Sequence, residues 1–143
     1  VPTRACTLIS VSLVDTDVLI WNLRGNQRAS EWLDSSPGFT VSAVTYMELV
    51  QGLRDQSEFR ALRQAVQYWD ARIQPVSEAI SNRATFLVET YALSHNMQMA
   101  DALIAATATQ LGLPLVTAND RHYRHIEGLE IHLFRPEQGS APL

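Results

Sequence analysis

ADALIAATATQLGLPLVTAND, residues 100–120, decides how the rest of the chain is read. From Asp101 to Leu111 the small residues Ala102, Ala105, Ala106 and Ala108 suit a helix that packs closely against its neighbours. Gly112 ends it. Leu113–Thr117 follows as an apolar run too short for a helix and right for a buried strand. Asn119 and Asp120 then mark a turn. One acid therefore opens the helix, and another stands just beyond the strand.

The same alternation runs outward in both directions. Upstream, LISVSLV (8–14) reads as a β-rich apolar segment. Asp15-Thr16-Asp17 follows, and Val18, Leu19, Trp21 and Leu23 start an amphipathic helix that Gly25-Asn26 stops. A short helix over Gln27–Leu33 ends at the turn Ser35-Ser36-Pro37-Gly38. Phe39–Ala43 alternates and ends in β-branched Val44-Thr45, a second strand running into a helix that reaches Gly52. Glu58–Trp69 carries Phe59, Leu62, Ala65, Val66 and Trp69 at helical spacing. Ile73–Val76 is a short strand. Ser77 caps a long helix with Ile80, Ala84, Leu87, Val88 and Tyr91 as its buried stripe, broken by Ser94-His95-Asn96. Beyond Asp120, Asn119–Ile126 is a short helix or turn and Leu129–Leu133 a last strand. Strands separated by helices predict an α/β fold with a mainly parallel sheet.

Composition bounds the function. The 143 residues, 46% hydrophobic and 18% charged, suit one globular domain over 8–143. Residues 1–7 read as a disordered leader or cloning remnant. All 11 basic residues are Arg, with no Lys, which removes a P-loop, a Schiff base and a Ser–Lys dyad. It also counts against an aspartyl-phosphate enzyme built on Asp15-Thr16-Asp17. A net charge of −4 argues against nucleic-acid binding by bulk charge. Cys6 alone offers no internal disulfide and suits a reducing, cytoplasmic setting. No apolar run approaches the roughly 18 residues of a spanning helix, so no membrane role is expected.

In a parallel α/β sheet the functional crevice lies beyond the carboxyl ends of the strands. Asp15, Glu48, Asp101 and Asp120 all fall at strand ends or in the first turns of helices. Such carboxylates do not all ionise cheaply without a counter-charge, which a hard divalent cation supplies. Each has a plainer reading too. Asp15 or Asp17 suits an N-cap, Asp101 a cap or dipole partner, Glu48 a solvated helix face, and Asp120 a turn. It is their joint placement that points to a site. Arg121 and Arg124, next to Asp120, are the best phosphate-contact candidates, with a solvated surface as the equally good plainer reading. His122 and His125, three apart, lack a third ligand for zinc.

The pieces LVDTDVLIW (13–21), VSAVTYMELVQGL (41–53), ADALIAATATQLGLPLVTAND (100–120) and the closing Ile126–Ile131 segment resemble the PIN-domain family, in particular its VapC-type toxins. The resemblance runs in order from Leu13 to His132. It implies a three-layer α/β/α sandwich and a Mg²⁺- or Mn²⁺-dependent endoribonuclease with one or two ions. It also implies a homodimer, a cognate VapB-type antitoxin and a tRNA, rRNA or mRNA substrate. By position, Asp15, Glu48 and Asp101 match the family's first three acids. Asn119 or Asp120 stands at the fourth, with Tyr123 as the following aromatic. The implied chemistry is phosphodiester hydrolysis by a metal-activated water, with Thr16 and Thr117 orienting the ligands or touching substrate. The Phe59–Trp69 helix is the expected dimer or antitoxin contact. The alternative is a catalytically degenerate PIN module that binds partners.

Overall fold

A computed structural model describes residues 11–137. The expected leader 1–7, the first part of the LISVSLV segment and residues 138–143 lie outside the described residues. Five strands, β1 (Leu13–Val14), β2 (Thr40–Ser42), β3 (Arg72–Gln74), β4 (Leu115–Thr117) and β5 (Ile131–Leu133), form one sheet in the order β3-β2-β1-β4-β5. Every described pairing is parallel, with Leu13 opposite both Thr40 and Leu115. Among the described residues six α-helices surround it: α1 (Thr16–Leu23), α2 (Gln27–Asp34), α3 (Ala43–Gln51), α4 (Gln56–Tyr68), α5 (Glu78–His95) and α6 (Met99–Leu111).

The strands sort the core into two halves, because neighbouring residues of a strand face opposite sides. Leu13 and Leu115 join Ile80, Ala84 and Leu87 of α5 and the small residues of α6. Val14 and Val116 join Val18 and Leu19 of α1, Leu33 of α2, Leu49 of α3 and Leu62 of α4. The result is the expected three-layer α/β/α sandwich. Ala102, Ala105, Ala106 and Ala108 are all fully buried, so the small side chains of α6 serve close packing as read. Gly112, in the left-handed conformation at φ 69°, closes that helix.

Several boundaries differ from the sequence reading, each for a local reason. Val44-Thr45 belongs to α3, not to β2: the Ser42 hydroxyl accepts from Val44 N–H at 3.0 Å and turns the chain into a helix despite the β-branched pair. Asp101 lies inside the first turn of α6, which begins at Met99. Met97, just before the Gln98 cap, is buried in the same core cluster as Ala102, in the manner of a hydrophobic staple. β1, β3, β4 and β5 are shorter than the apolar runs that announced them, and α4 starts at Gln56 rather than Glu58, where the Asp55 carboxylate accepts from Glu58 N–H. Ser77 caps α5 as expected, its hydroxyl accepting from Ile80 N–H.

Candidate active site

Because all strands run the same way, β1, β2 and β4 end on one edge, and their continuations meet there. Asp15 is the residue after β1 and the N-cap of α1. Its Oδ1 accepts from Thr16 N–H at 2.8 Å, while Oδ2 turns away from its own helix and accepts from the Thr117 hydroxyl at the end of β4, also at 2.8 Å. One carboxylate therefore caps α1 through Oδ1 and faces the end of β4 through Oδ2.

Thr117 also faces Asp17, at 3.2 Å from Oδ2. The Ala118 N–H lies 3.2 Å from both oxygens of the Asp17 carboxylate. Two carboxylates thus share one hydroxyl in a buried place. Burial first, and Asp17 second, push the Asp15 carboxyl up to about 7, against the opposing pull of Thr117 and Thr16. Burial likewise raises Asp17. Among the described residues no Arg forms an ion pair with Asp15, Asp17, Glu48 or Asp101.

Two further acids join through neutral donors. Thr16 Oγ1 donates to Glu48 Oε1 at 2.7 Å. A hydroxyl has a single proton, so the 2.9 Å contact with the fully buried Thr45 hydroxyl has Thr45 donating and Thr16 accepting. Across the edge, the Tyr123 hydroxyl donates to Asp101 Oδ1 at 3.2 Å and interacts with Asp15 as well. Tyr123 is fully buried, and desolvation together with Asp15 and Asp101 holds its hydroxyl far above the ordinary phenol range, so it remains a donor. His122 Nδ1 stands 3.4 Å from Asp101 Oδ2, and its Nε2 stands 3.3 Å from the Asn119 amide.

Asp15, Thr16, Glu48, Asp101, Thr117 and Asn119 are thus linked on one rim. Asn119 reaches the network through His122 and through its own N–H on Thr117 Oγ1 at 3.1 Å. Asp120 opens the short 3₁₀ turn Asp120–His122, where its carbonyl accepts from Tyr123 and Arg124 N–H. Thr117 and Thr16 are buried, and their hydroxyls donate to the carboxylates of Asp15 and Glu48. Arg121 and Arg124 are exposed immediately beside the rim. His122 and His125 part company, His125 stacking on His95 with ring centroids 4.3 Å apart.

The sequence reading gave Asp17 and Tyr123 lesser parts than the structure does. Asp17 was readable as the second acid of Asp15-Thr16-Asp17. The sequence marks Tyr123 only as the aromatic after the turn, and nothing in it tells that the hydroxyl donates to Asp101 with Asp15 close by. Among the described residues no three His, Cys, Asp or Glu donors stand assembled around one point as a ready-made metal cage. The chemistry of the donor set nevertheless suits a hard cation: the carboxylate oxygens of Asp15, Glu48 and Asp101, with the half-buried Asp17 crowding Asp15 and the His122 imidazole beside Asp101.

Fold and site together define an α/β protein with an oxygen-donor centre at the carboxyl edge of a parallel sheet. Comparison with known proteins makes this specific. The PIN domain pattern matches residues 12–129, and the chain belongs to the PIN-domain family, in its VapC-like branch. Ribonuclease VapC10 of Mycobacterium tuberculosis is 38% identical over 122 residues, covering 82% of this chain and 90% of that protein. Ribonuclease VapC19 of the same organism is 31% identical over 119 residues, covering 79% and 92%. A toxin–antitoxin complex from Klebsiella pneumoniae superposes with a TM-score of 0.66 at 28% identity, over 82% of this chain and 94% of that one.

Proposed function

We propose that this protein is an endoribonuclease and the toxin of a toxin–antitoxin pair, hydrolysing RNA phosphodiesters with Mg²⁺ or Mn²⁺ at the carboxyl edge of its sheet. The observation that carries the reading is the buried Asp15 carboxylate, with Glu48 joined beside it through Thr16 and Asp101 through Tyr123, in a chain so similar to a named ribonuclease. Asp15, Glu48 and Asp101 would hold the cation, with Asn119 or Asp120 completing the set.

Such an ion, when bound, supplies positive charge to a phosphoryl oxygen and makes a water acidic enough to attack. The chain's own residues do the rest. Thr117 and Thr16 fix the carboxylates of Asp15 and Glu48 through hydrogen bonds that favour one orientation. Tyr123 donates its one proton to Asp101, beside Asp15, without adding charge. Arg121 and Arg124 would meet substrate phosphates beside the acids, supplying locally the charge that the whole protein lacks. The substrate class is tRNA, rRNA or mRNA. The relatives found in toxin–antitoxin complexes support an antitoxin partner, and the working unit is read as a cytoplasmic homodimer. No helix among the described residues is long and apolar enough to cross a membrane.

The test is incubation of purified protein with total tRNA and rRNA in Mg²⁺, Mn²⁺ or EDTA, beside Asp101→Asn. Discrete fragments that need metal and vanish in the variant are expected. No cleavage in any metal by folded, antitoxin-free protein would favour a PIN module that acts by binding partners. Cleavage that survives the substitution would remove Asp101 from the chemistry.

A further inference from the structure

Asp17 sits in the first turn of α1, yet its carboxylate is not spent on that helix's dipole alone. It reaches the end of β4, where it accepts from Ala118 N–H through both oxygens and lies 3.2 Å from Thr117 Oγ1. Ala118 is the hinge between β4 and the turn that carries Asn119, His122 and Tyr123. Thr117, in the same grip, has one proton and two acidic neighbours. The shorter contact, 2.8 Å, goes to Asp15 Oδ2, while the Asn119 N–H donates to the same hydroxyl from behind. Asp17 therefore fixes where the strand stops and holds the backbone from which Thr117 addresses Asp15 and Tyr123 addresses Asp101.

We propose that Asp17 is a positioning residue that acts as a hydrogen-bond acceptor, clamping Thr117–Ala118 so that the Asp15 and Asp101 carboxylates keep their places, and is not itself a cation ligand. The inference rests on the metal-site reading above. An acceptor role and a ligand role make opposite demands on Asp17→Asn. The amide oxygen of Asn still accepts from Ala118 N–H, and its NH₂ leaves the Thr117 proton directed at Asp15. A ligand would lose its charge, whereas a clamp would lose little. Asp17→Ala removes both.

Three measurements decide the matter. Amide hydrogen exchange at Ala118 and Asn119 in metal-free protein reads the clamp directly and does not depend on any cation. Protection is expected to persist in Asp17→Asn and to fall by at least about tenfold in Asp17→Ala, as loss of a charge-assisted hydrogen bond implies. Mn²⁺ titration by calorimetry reads the site, with Asp15→Asn as reference. Affinity is expected to fall by less than about tenfold in Asp17→Asn, where only a neighbouring charge is lost, and by about 100-fold in Asp17→Ala, the upper end of the scale on which supporting residues act. RNA cleavage should show the loss in kcat with KM little changed, restored by Asn at position 17. Unchanged exchange in Asp17→Ala would overturn the clamp whatever the metal does. Mn²⁺ affinity lost equally in Asp17→Asn and Asp17→Ala would make Asp17 a ligand. Because Asp17→Asn retains the acceptor, it decides between these outcomes even if Asp17→Ala does not fold. Asp15→Asn binding Mn²⁺ as wild type, with the exchange pattern intact, would sink the metal-site reading and leave the clamp standing as architecture alone.

Discussion

Replacing Asp15 by Asn should stabilise the metal-free protein at high pH and leave it slightly less stable, by about 1 kcal/mol, at low pH. Asp15 is 5% exposed and its carboxyl is raised from 3.8 to about 7, first by burial and then by Asp17. Between those two pH values the folded chain keeps a proton that the unfolded chain has released. The native state then binds more protons, so stability falls as pH rises through the window, by at most about 1.4 kcal/mol per pH unit. Integrated over the whole interval the ceiling is about 4 kcal/mol. Asn carries no such cost, but it returns some of the gain. Its oxygen still accepts from Thr16 N–H, while Thr117 must send its proton to Asp17, a weaker arrangement by about 1 kcal/mol. A net gain of about 2–3 kcal/mol at pH 8 corresponds to a melting temperature higher by roughly 5–10 °C. The assay is thermal unfolding in EDTA from pH 4.5 to 8.5, wild type and variant side by side. A variant that melts at or below wild type at pH 8, or a gap as wide at pH 4.5 as at pH 8, would refute the reasoning. With Mn²⁺ added, wild type should gain more than the variant, by about 2.7 kcal/mol at a hundred times its Kd if the variant does not bind.

Tyr123→Phe keeps the buried ring but removes the donor to Asp101, so the protein should fold with a loss of about 1 kcal/mol, seen in chemical denaturation, and cleave more slowly. Glu48→Gln retains an acceptor for Thr16 on an exposed side chain; apo stability should stay within about 0.5 kcal/mol while the Mn²⁺-induced rise in melting temperature shrinks. Gly112→Ala forces a Cβ into the left-handed cap of α6, and although nothing crowds that Cβ, a cost of about 1 kcal/mol is expected in the same denaturation assay.

Much of the fold was legible because local signals agreed with one another. Gly112, Asn96 and Ser77 stand where helices stop and start, and the apolar runs around Leu13, Val41 and Val116 mark the three central strands. The misread stretch, Val44-Thr45, is one where β propensity pointed one way and the Ser42 cap the other, and the cap prevailed. The acids Asp15, Glu48 and Asp101 were legible by position, since strand ends and helix starts can be recognised from short patterns. Their partners were not. That Thr117 meets both Asp15 and Asp17, across about a hundred residues of chain, follows from β4 lying beside β1, and no local pattern records that neighbour.

By itself the sequence determined the α/β alternation, the acids at the strand ends and the absence of any lysine chemistry. Each of these depends on residue type and short-range spacing. Only the tertiary structure decided that Asp17 grips the end of β4, that Tyr123 is a buried donor between Asp15 and Asp101, and that Thr16 and Thr117 orient acids instead of facing outward. The physical reason is that burial and hydrogen-bond partnership are properties of neighbours. Here the neighbours are set by the strand order β3-β2-β1-β4-β5, which brings the first and last thirds of the chain to one edge.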